Sequence, residues 1–538
     1  MAPQVALGAL VALYVGTFGI LTWRQQSNFG TFGYDMGIYD QATWLLAHGH
    51  SFITVRGLSV WGNHVNVILY LFAPAYWLGA GPHFLYLVET VWLAAGALPV
   101  YWLARHRLVD PWLALVFPAA YLLYPALEWM NWWHFHPEAL DTTLVLFAYW
   151  FAVRRRWGWC AAAAVATLLC KEDASFAVLV LGLLIAVRWK NRRLGLAIAA
   201  VAAGWLVLCT RVIIPGADHG QNPFYVDFFP NLGHNIGQIA GNAIRHPSRL
   251  WRPAIDHKPG QNRIEYYLQL LVPVACLPIG ALPVLLIGLP QLTTNVVSSF
   301  GYTYKINNHY HSLIIAAVFL ATVEFVGRRR RPQTRQVLAG ILIVTALYGN
   351  VHWSPSPLGH VWRSGIWALH PDSRAGLVND AIASIPGGGG VTATYYIIPH
   401  LTHRQYAYEW PNPFRQANWG IHDTRPPNPG TVNYLVIDHE FAGSDDTVTL
   451  DGLLAPSGPF TVVFDEEGIL FAHRAGSPLN SNAGLNARFY HPPGDQTRSL
   501  EIAAALVGFA LGVLLYRARS RRVEDTAPGE RDPALSPR

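Results

Sequence analysis

ATLLCKEDASFAVLVLGLLIAVRWKNRR, residues 166–193, decides what kind of protein this is. Three consecutive ionisable residues, Lys171, Glu172 and Asp173, interrupt an apolar run that resumes at Ala174 and ends among Arg188, Lys190, Arg192 and Arg193. A charge at the centre of a membrane helix costs about 2.5 to 3.5 kcal/mol on insertion scales, so the three belong near the end of a span, with opposite charges paired. The basic cluster then marks the other end. An ion pair that only locks two helices is the plainer account of the same residues.

The rest of the chain has the same character. Of its 538 residues 52% are hydrophobic and 13% charged, against about 25% charged in an ordinary soluble domain. Stretches 5–22, 84–104, 194–214 and 499–516 approach or reach the roughly 17 to 25 residues that a helix needs to cross the hydrocarbon layer. The first of these has no basic segment before it and no clean cleavage site after it, so it reads as a retained span. Cys160, Cys170, Cys209 and Cys276 all fall in apolar runs and read as core residues, without a metal or redox spacing.

Basic clusters at 105–107, 154–156, 188–193, 328–335 and 517–522 fall between apolar runs, and the positive-inside rule assigns all of them to the cytoplasm. This accounts for the net charge of +6 without nucleic acid as a partner. The fold class expected is an all-α polytopic membrane domain of about twelve transmembrane helices with both termini inside. The spans are 5–22, 84–104, 111–127, 139–153, 158–173, 174–189, 194–214, 264–280, 282–297, 311–327, 336–350 and 499–516. The Pro-rich 264–297 segment could equally be a hairpin dipping into the bilayer. No internal repeat is evident.

The outer face then receives 23–83, 128–138, 215–263 and 352–498. Within the first, Met36 to His48 reads as a helix on the membrane surface and Val65 to Leu78 as a helix resting in the outer interface. Residues 352–498 read as a small extracytoplasmic α/β module, with a helix at 376–385, strands at 390–398 and 431–438, and a hairpin over 460–474 turning at Glu467-Gly468. The chain thus divides into a transmembrane domain 1–351, the module 352–498, a last helix 499–516 and a disordered tail 517–538.

Polar constellations gather on that outer side. FGYDMGIYDQ (32–41) carries Asp35 and Asp40, followed by Asn63 and His64 in WGNH. A carboxylate partly desolvated beside a bilayer can act as a general base; helix capping by Asp35 is the plain alternative. EWMNWWHFHPEAL (128–140) carries His134, His136 and Glu138, which could hold a divalent metal ion if the backbone is extended there, although aromatic residues and histidines also populate the interfacial belt. Lys171, Glu172 and Asp173 form the third group. SSFGYTYKINNHYHS (298–312) supplies Lys305, His309 and His311, a set suited to a phosphate or polyol, or to interface anchoring. His400, His403 and Arg404 of the module could face the same cavity.

YDMGIYDQATWLLAHG, GNHVNVILYLFAPAYWL, FHPEAL, CKED and NNHYHSLI, in this order and spacing, resemble a bacterial family of predicted membrane proteins carrying a domain-of-unknown-function label (number 2079), over most of residues 20–440. That family in turn resembles the C-type (GT-C) glycosyltransferase superfamily, which includes protein mannosyltransferases and aminoarabinose transferases. The resemblance implies a sugar carried on a polyprenyl phosphate, an unknown extracytoplasmic acceptor and an active face outside the plasma membrane. It places Asp35, Met36–His48 and Val65–Leu78 at the acidic residue, surface helix and interfacial helix of the first outer loop. Met36 stands where the superfamily has a second acidic residue, and His64 where it tends to have a basic one.

The expected reaction is an inverting glycosyl transfer. Asp35, assisted by Asp40, takes the acceptor proton, and Lys171, His64 and Lys305 meet the leaving phosphate. No GxxxxGK[ST] or GxGxxG motif is present, in keeping with a lipid-linked donor. A lipid or solute transporter is the rival reading, disfavoured because the ionisable residues collect at one face; a noncatalytic envelope-assembly protein is the third.

Overall fold

The computed structural model describes residues 2–255, 257–258, 261–364, 366–420, 426–480, 496 and 498–505. Among the described residues four helices are long and apolar enough to cross a membrane: Ala2–Ser27, Pro82–Leu108, Arg192–Ala217 and Pro332–Trp353. Counting each of two bent pairs as one span gives up to six. Pro111–Leu122 meets Pro125–Trp132 at 44°, and Arg263–Val274 meets Leu277–Leu285 at 79°. Ala139–Val153, Trp157–Leu168, Ala174–Arg188 and Ser312–Gly327 are apolar but shorter.

By length and composition the described helices therefore fall short of the expected twelve spans, and the shortfall has local causes. The sharpest bend lies between Pro273 and Pro278, where Ala275 and Cys276 adopt left-handed backbone (φ 52° and 54°) and the helical ladder stops. The second half of the 264–297 segment breaks again before Leu289–Val297, so 282–297 is not one continuous helix. Cys276 at this bend is exposed, contrary to the expected core placement, whereas the other three cysteines are buried. The expected last span lies outside the described residues beyond 505, as does the tail 517–538.

Helix packing follows side-chain size. Ala174–Arg188 and Arg192–Leu208 form an antiparallel hairpin in which Gly182 and Gly195 let the backbones touch. A Cβ on Gly182 would lie 2.7 Å from the Gly195 carbonyl oxygen, and one on Gly195 would lie 2.5 Å from that of Gly182.

One end of the bundle is tied by a single carboxylate. Glu324, 1% exposed, accepts 2.7 Å bonds from Arg107 and Arg188 and a 2.8 Å bond from the Tyr149 hydroxyl. These residues stand near the C-terminal ends of Pro82–Leu108, Ala139–Val153, Ala174–Arg188 and Ser312–Gly327. Four of the basic clusters, 105–107, 154–156, 188–193 and 328–335, thus lie at the same end. The N-terminal ends of the last three helices lie about 22 Å away at a rise of 1.5 Å per residue. There they follow Glu138, Lys171–Asp173 and His309–His311.

The segment expected to lie on the membrane surface forms the helix Ile38–Ala47, entered through a π-turn at Gly33–Gly37, and most of this helix is buried within the protein. Val67–Leu71 and Ala73–Trp77 are short turns, too short to cross a membrane. Beyond Pro332–Trp353 the chain builds a five-stranded sheet from β1 (Val391–Ala393), β2 (Ala407–Glu409), β3 (Tyr434–Asp438), β4 (Phe460–Glu466) and β5 (Ile469–Arg474). The order is β2-β1-β3-β5-β4. β1 is parallel to β2 and β3, with Val391 opposite Ala407 and Tyr434, and β5 is antiparallel to β3 and β4. The helix Ala375–Ser384 and the hairpin turn at Glu467-Gly468 fall where the pattern puts them. The edge strand β2 and the helix Ser444–Leu454 carry no comparable signal.

One core joins this sheet to the segment between the first two long helices: Met36, Ile38, Tyr39, Ala42 and Leu45 pack with Val378, Val391, Ile397, Ile398, Leu401 and Phe471. Polar ties reinforce it. Gly33 N–H donates to the Tyr395 carbonyl at 2.7 Å, and Thr54 Oγ1 donates to the Ala407 carbonyl at 2.8 Å while accepting from Ala407 N–H at 2.9 Å.

Replacing Glu324 by Gln leaves two guanidinium groups, each about a quarter exposed, without their counter-charge. The expected loss is about 2 to 4 kcal/mol, below the fully buried case because water reaches the arginines. Thermal unfolding of purified E324Q in detergent, against wild type, measures it.

Candidate functional site

Asp35 sits inside the π-turn, where no side-chain capping bond forms to the following helix. Its carboxylate instead faces two imidazoles, with His136 Nε2 3.4 Å from Oδ1 and His134 Nδ1 3.9 Å from Oδ2. The shorter is within hydrogen-bonding reach and the longer is a contact of charge and dipole. Burial alone would raise the carboxyl pKa, but the two imidazoles outweigh it and hold Asp35 well below the usual carboxylate range. His134 reaches this position with a left-handed backbone (φ 84°), a conformation unusual for a non-glycine residue. Burial pushes its own pKa down.

Next to these lies a second group. Lys171 Nζ donates to Glu138 Oε1 at 2.9 Å, and His309 Nε2 lies 3.6 Å from the same oxygen. His309 stacks on His136 with ring centroids 3.6 Å apart. Burial and the neighbouring His136 drive His309 far below its ordinary pKa, so it is neutral. Burial disfavours the Glu138 carboxylate, yet Lys171, His136 and His64 more than compensate and bring it to about 2. Glu172 makes a third link: it accepts a 2.8 Å bond from His64 Nδ1 and a 3.0 Å bond from Val65 N–H.

The sequence candidates separate under this geometry. Asp35, His134, His136, His309, Glu138 and Lys171 are linked by these contacts, and the Glu172–His64 pair adjoins them through the chain at Lys171-Glu172, so that the eight form one wall. Asp40 is wholly buried and is held by the Tyr76 hydroxyl at 2.6 Å, the Thr402 hydroxyl and His403 Nε2 at 3.1 Å, so its carboxylate ties the surface helix to the sheet-bearing region. Asn63 is buried at the end of the turn Val60–Asn63, and Asp173 is half-buried just before Ala174–Arg188. Lys305 is exposed with its ammonium 5.5 Å from the Tyr302 ring. His311 is buried near Tyr266 and driven by burial to about 4. His400 packs on Phe29, and Arg404 donates to the Gly389 carbonyl at 2.6 Å.

The expected metal triad does not assemble. His134 and His136 turn to Asp35 while Glu138 turns to Lys171, and among the described residues no three His, Cys, Asp or Glu side chains converge to hold an ion.

Two neighbours escaped the sequence reading. Arg56, 5% exposed, lies between the rings of Tyr34 (5.0 Å) and Phe224 (5.1 Å) and donates to the Gly420 carbonyl at 3.0 Å. Among the described residues no carboxylate lies within ion-pair distance of it. Its signal was present, since Arg56 is the one Lys or Arg between Arg24 and Arg105. Glu409, from β2, approaches the turn that carries Asp35; nothing local in the sequence marks it.

The fold and this wall define a multi-pass membrane protein with a cluster of carboxylates, imidazoles and a lysine at one end of its bundle. The chain belongs to the DUF2079 family of predicted membrane proteins, whose model matches residues 27–454. Its fold is similar to that of ArnT from Cupriavidus metallidurans bound to undecaprenyl phosphate, with a TM-score of 0.52 at 13% identity over 88% of this chain and 98% of that one. The apo state of the same protein gives 0.49 over the same shares. The chain thus shares its fold with ArnT over most of its length. No curated protein matches the chain.

The Glu138–Lys171 pair sets an acid limb. A carboxyl that titrates at 4.5 when free and at about 2 here contributes stability that is complete above 4.5 and is lost as the pH falls through about 2. E138Q removes that contribution and strands the Lys171 ammonium, at an expected cost of about 3 to 5 kcal/mol. The double variant E138Q/K171M recovers part of it. Thermal unfolding of the three proteins at neutral pH, and of wild type along the acid limb, checks both statements.

Proposed function

We propose that the protein is a membrane glycosyltransferase that moves a sugar from a polyprenyl-phosphate carrier to an extracytoplasmic acceptor, with inversion at the sugar carbon. The observation that carries this reading is the Asp35 carboxylate, held ionised by His134 and His136, on a turn whose Tyr34 ring packs against Arg56, a buried cation that feels the charge of Asp218 but has no carboxylate within ion-pair distance among the described residues. A fold shared with a protein solved with undecaprenyl phosphate supports a lipid-phosphate donor.

Asp35 receives the hydrogen bond of the acceptor hydroxyl and aligns its oxygen on the sugar carbon. Arg56 meets the charge that gathers on the departing phosphate, and Lys305, exposed over the Tyr302 ring, remains free to assist it. Lys171 is already paired with Glu138, and His64 is hydrogen-bonded to Glu172. Their part is to fix the wall in which His136 is set, and they face the phosphate only through that wall. His134, His136 and His309 line the sugar side. The helix ends carrying Arg107 and Arg188 then face the cytoplasm, as the positive-inside rule requires.

In membranes supplied with a polyprenyl-phosphate sugar, Asp35→Asn is expected to lower transfer about a hundredfold or more, with undecaprenyl phosphate binding and thermal stability preserved. Envelope glycan that is unchanged in a strain carrying only D35N contradicts catalysis and favours a scaffold.

A further inference from the structure

β2 carries a carboxyl on its buried face. Side chains alternate along a strand: Ala407 packs into the core shared with the segment between the first two long helices and Tyr408 into the core on the other side of the sheet, so Glu409 points the way Ala407 does. There Oε2 would lie 2.6 Å from a Cβ on Gly33, and the glycine's missing side chain is the space through which the carboxyl reaches the turn. Asp35 is two residues further along. The Glu409 Oε2 atom is buried and has no hydrogen-bond partner among the described residues; oxygens of Glu89, Glu128 and Glu138 share that condition, and Glu409 differs from them in facing the turn that carries Asp35.

We propose that Glu409 is a second carboxyl of the Asp35 site and takes up the proton that the acceptor hydroxyl gives up during transfer. The inference rests on the glycosyl-transfer reading. The acceptor oxygen forms its bond to the sugar carbon as the bond from that carbon to the phosphate oxygen breaks. The electron pair of the broken bond leaves with the phosphate, and the hydroxyl proton passes by way of the Asp35 hydrogen bond to Glu409. The two carboxylates have complementary tasks. Asp35, held ionised by its imidazoles, is a good hydrogen-bond acceptor and a poor resting place for a proton. Burial, and then the negative charge of Asp35, raise Glu409 to about 7, where a proton is both taken and released near neutrality. The other ionisable groups facing Glu409 are Tyr34 from the turn and Tyr395 from the segment after β1. The region beyond residue 351 thereby supplies part of the site as well as its cover.

The test uses the full-length protein and dicyclohexylcarbodiimide, which reacts with protonated carboxyls in apolar surroundings, with labelled residues located by peptide mass spectrometry between about pH 5 and 9. Glu409 is expected to label at neutral pH and to cease labelling as the pH rises. In Asp35→Asn the loss of the neighbouring charge moves that decline to lower pH by about one unit. Glu409→Gln is expected to bind undecaprenyl phosphate and unfold like wild type while transferring sugar about a hundredfold more slowly. A labelling curve for Glu409 that does not move in D35N, or wild-type transfer by E409Q, overturns the proposal. If the curve moves but the wild-type protein transfers no polyprenyl-phosphate sugar, the glycosyl-transfer reading falls and with it the proton-accepting role, while the pairing of Glu409 with Asp35 stands.

Discussion

A charge inside an apolar bundle has to bring its partner with it, because neither lipid nor hydrocarbon side chains can replace the water it gives up. The architecture obeys that constraint at two levels. Arg107 and Arg188 close on Glu324 at one end, and Lys171 closes on Glu138, with His64 on Glu172, at the other. Three helices, Ala139–Val153, Ala174–Arg188 and Ser312–Gly327, run from the second cluster to the first. Each therefore fixes the distance between them, and the site is set by the same rods that order the basic end.

Their parallel course has an electrostatic consequence. Helix N-termini carry partial positive charge, and here three of them end at the wall that holds Glu138, Glu172 and Asp35. That arrangement favours ionised carboxylates and would equally favour an anionic group of a ligand. The segment between the first two long helices completes the wall, since it is pinned by a shared core and by Thr54 and Gly33 to the sheet. Asp40 contributes to this pinning through Tyr76, Thr402 and His403. A variant at Asp40 is thus a change to the loop's anchorage, whereas one at Asp35 acts on the carboxylate that faces the imidazoles.

Much of this was legible in the sequence because it is local. Lys171, Glu172 and Asp173 announce a span end by cost alone, and GILFAHR after FTVVFDEE announces a hairpin by alternation and a glycine turn. The family motifs mark the residues of the wall. What was not legible depends on long-range pairing. Glu324 reads as one acidic residue in an apolar helix until Arg107 and Arg188 arrive from distant helices. Asp40 looked like the companion of Asp35 because the two are five residues apart, but the change from π-turn to α-helix between them points the two carboxylates at different partners. Pro273 and Pro278 signalled an interruption without saying that the path would turn by 79°. Glu409 is invisible locally, since its meaning comes from the absence of a side chain on Gly33.

The proposed glycosyl transfer requires that Arg56, next to Tyr34 of the Asp35 turn, receive the phosphate of a lipid carrier at the end of the bundle opposite Glu324. Cryo-electron microscopy of the full-length protein saturated with undecaprenyl phosphate tests it most directly. The account predicts phosphate density next to Arg56, within reach of the Asp35 turn. Density for the lipid confined to the Glu324 end, or an Arg56 side chain that leaves Tyr34 and Phe224 to pair with a carboxylate elsewhere, would contradict it.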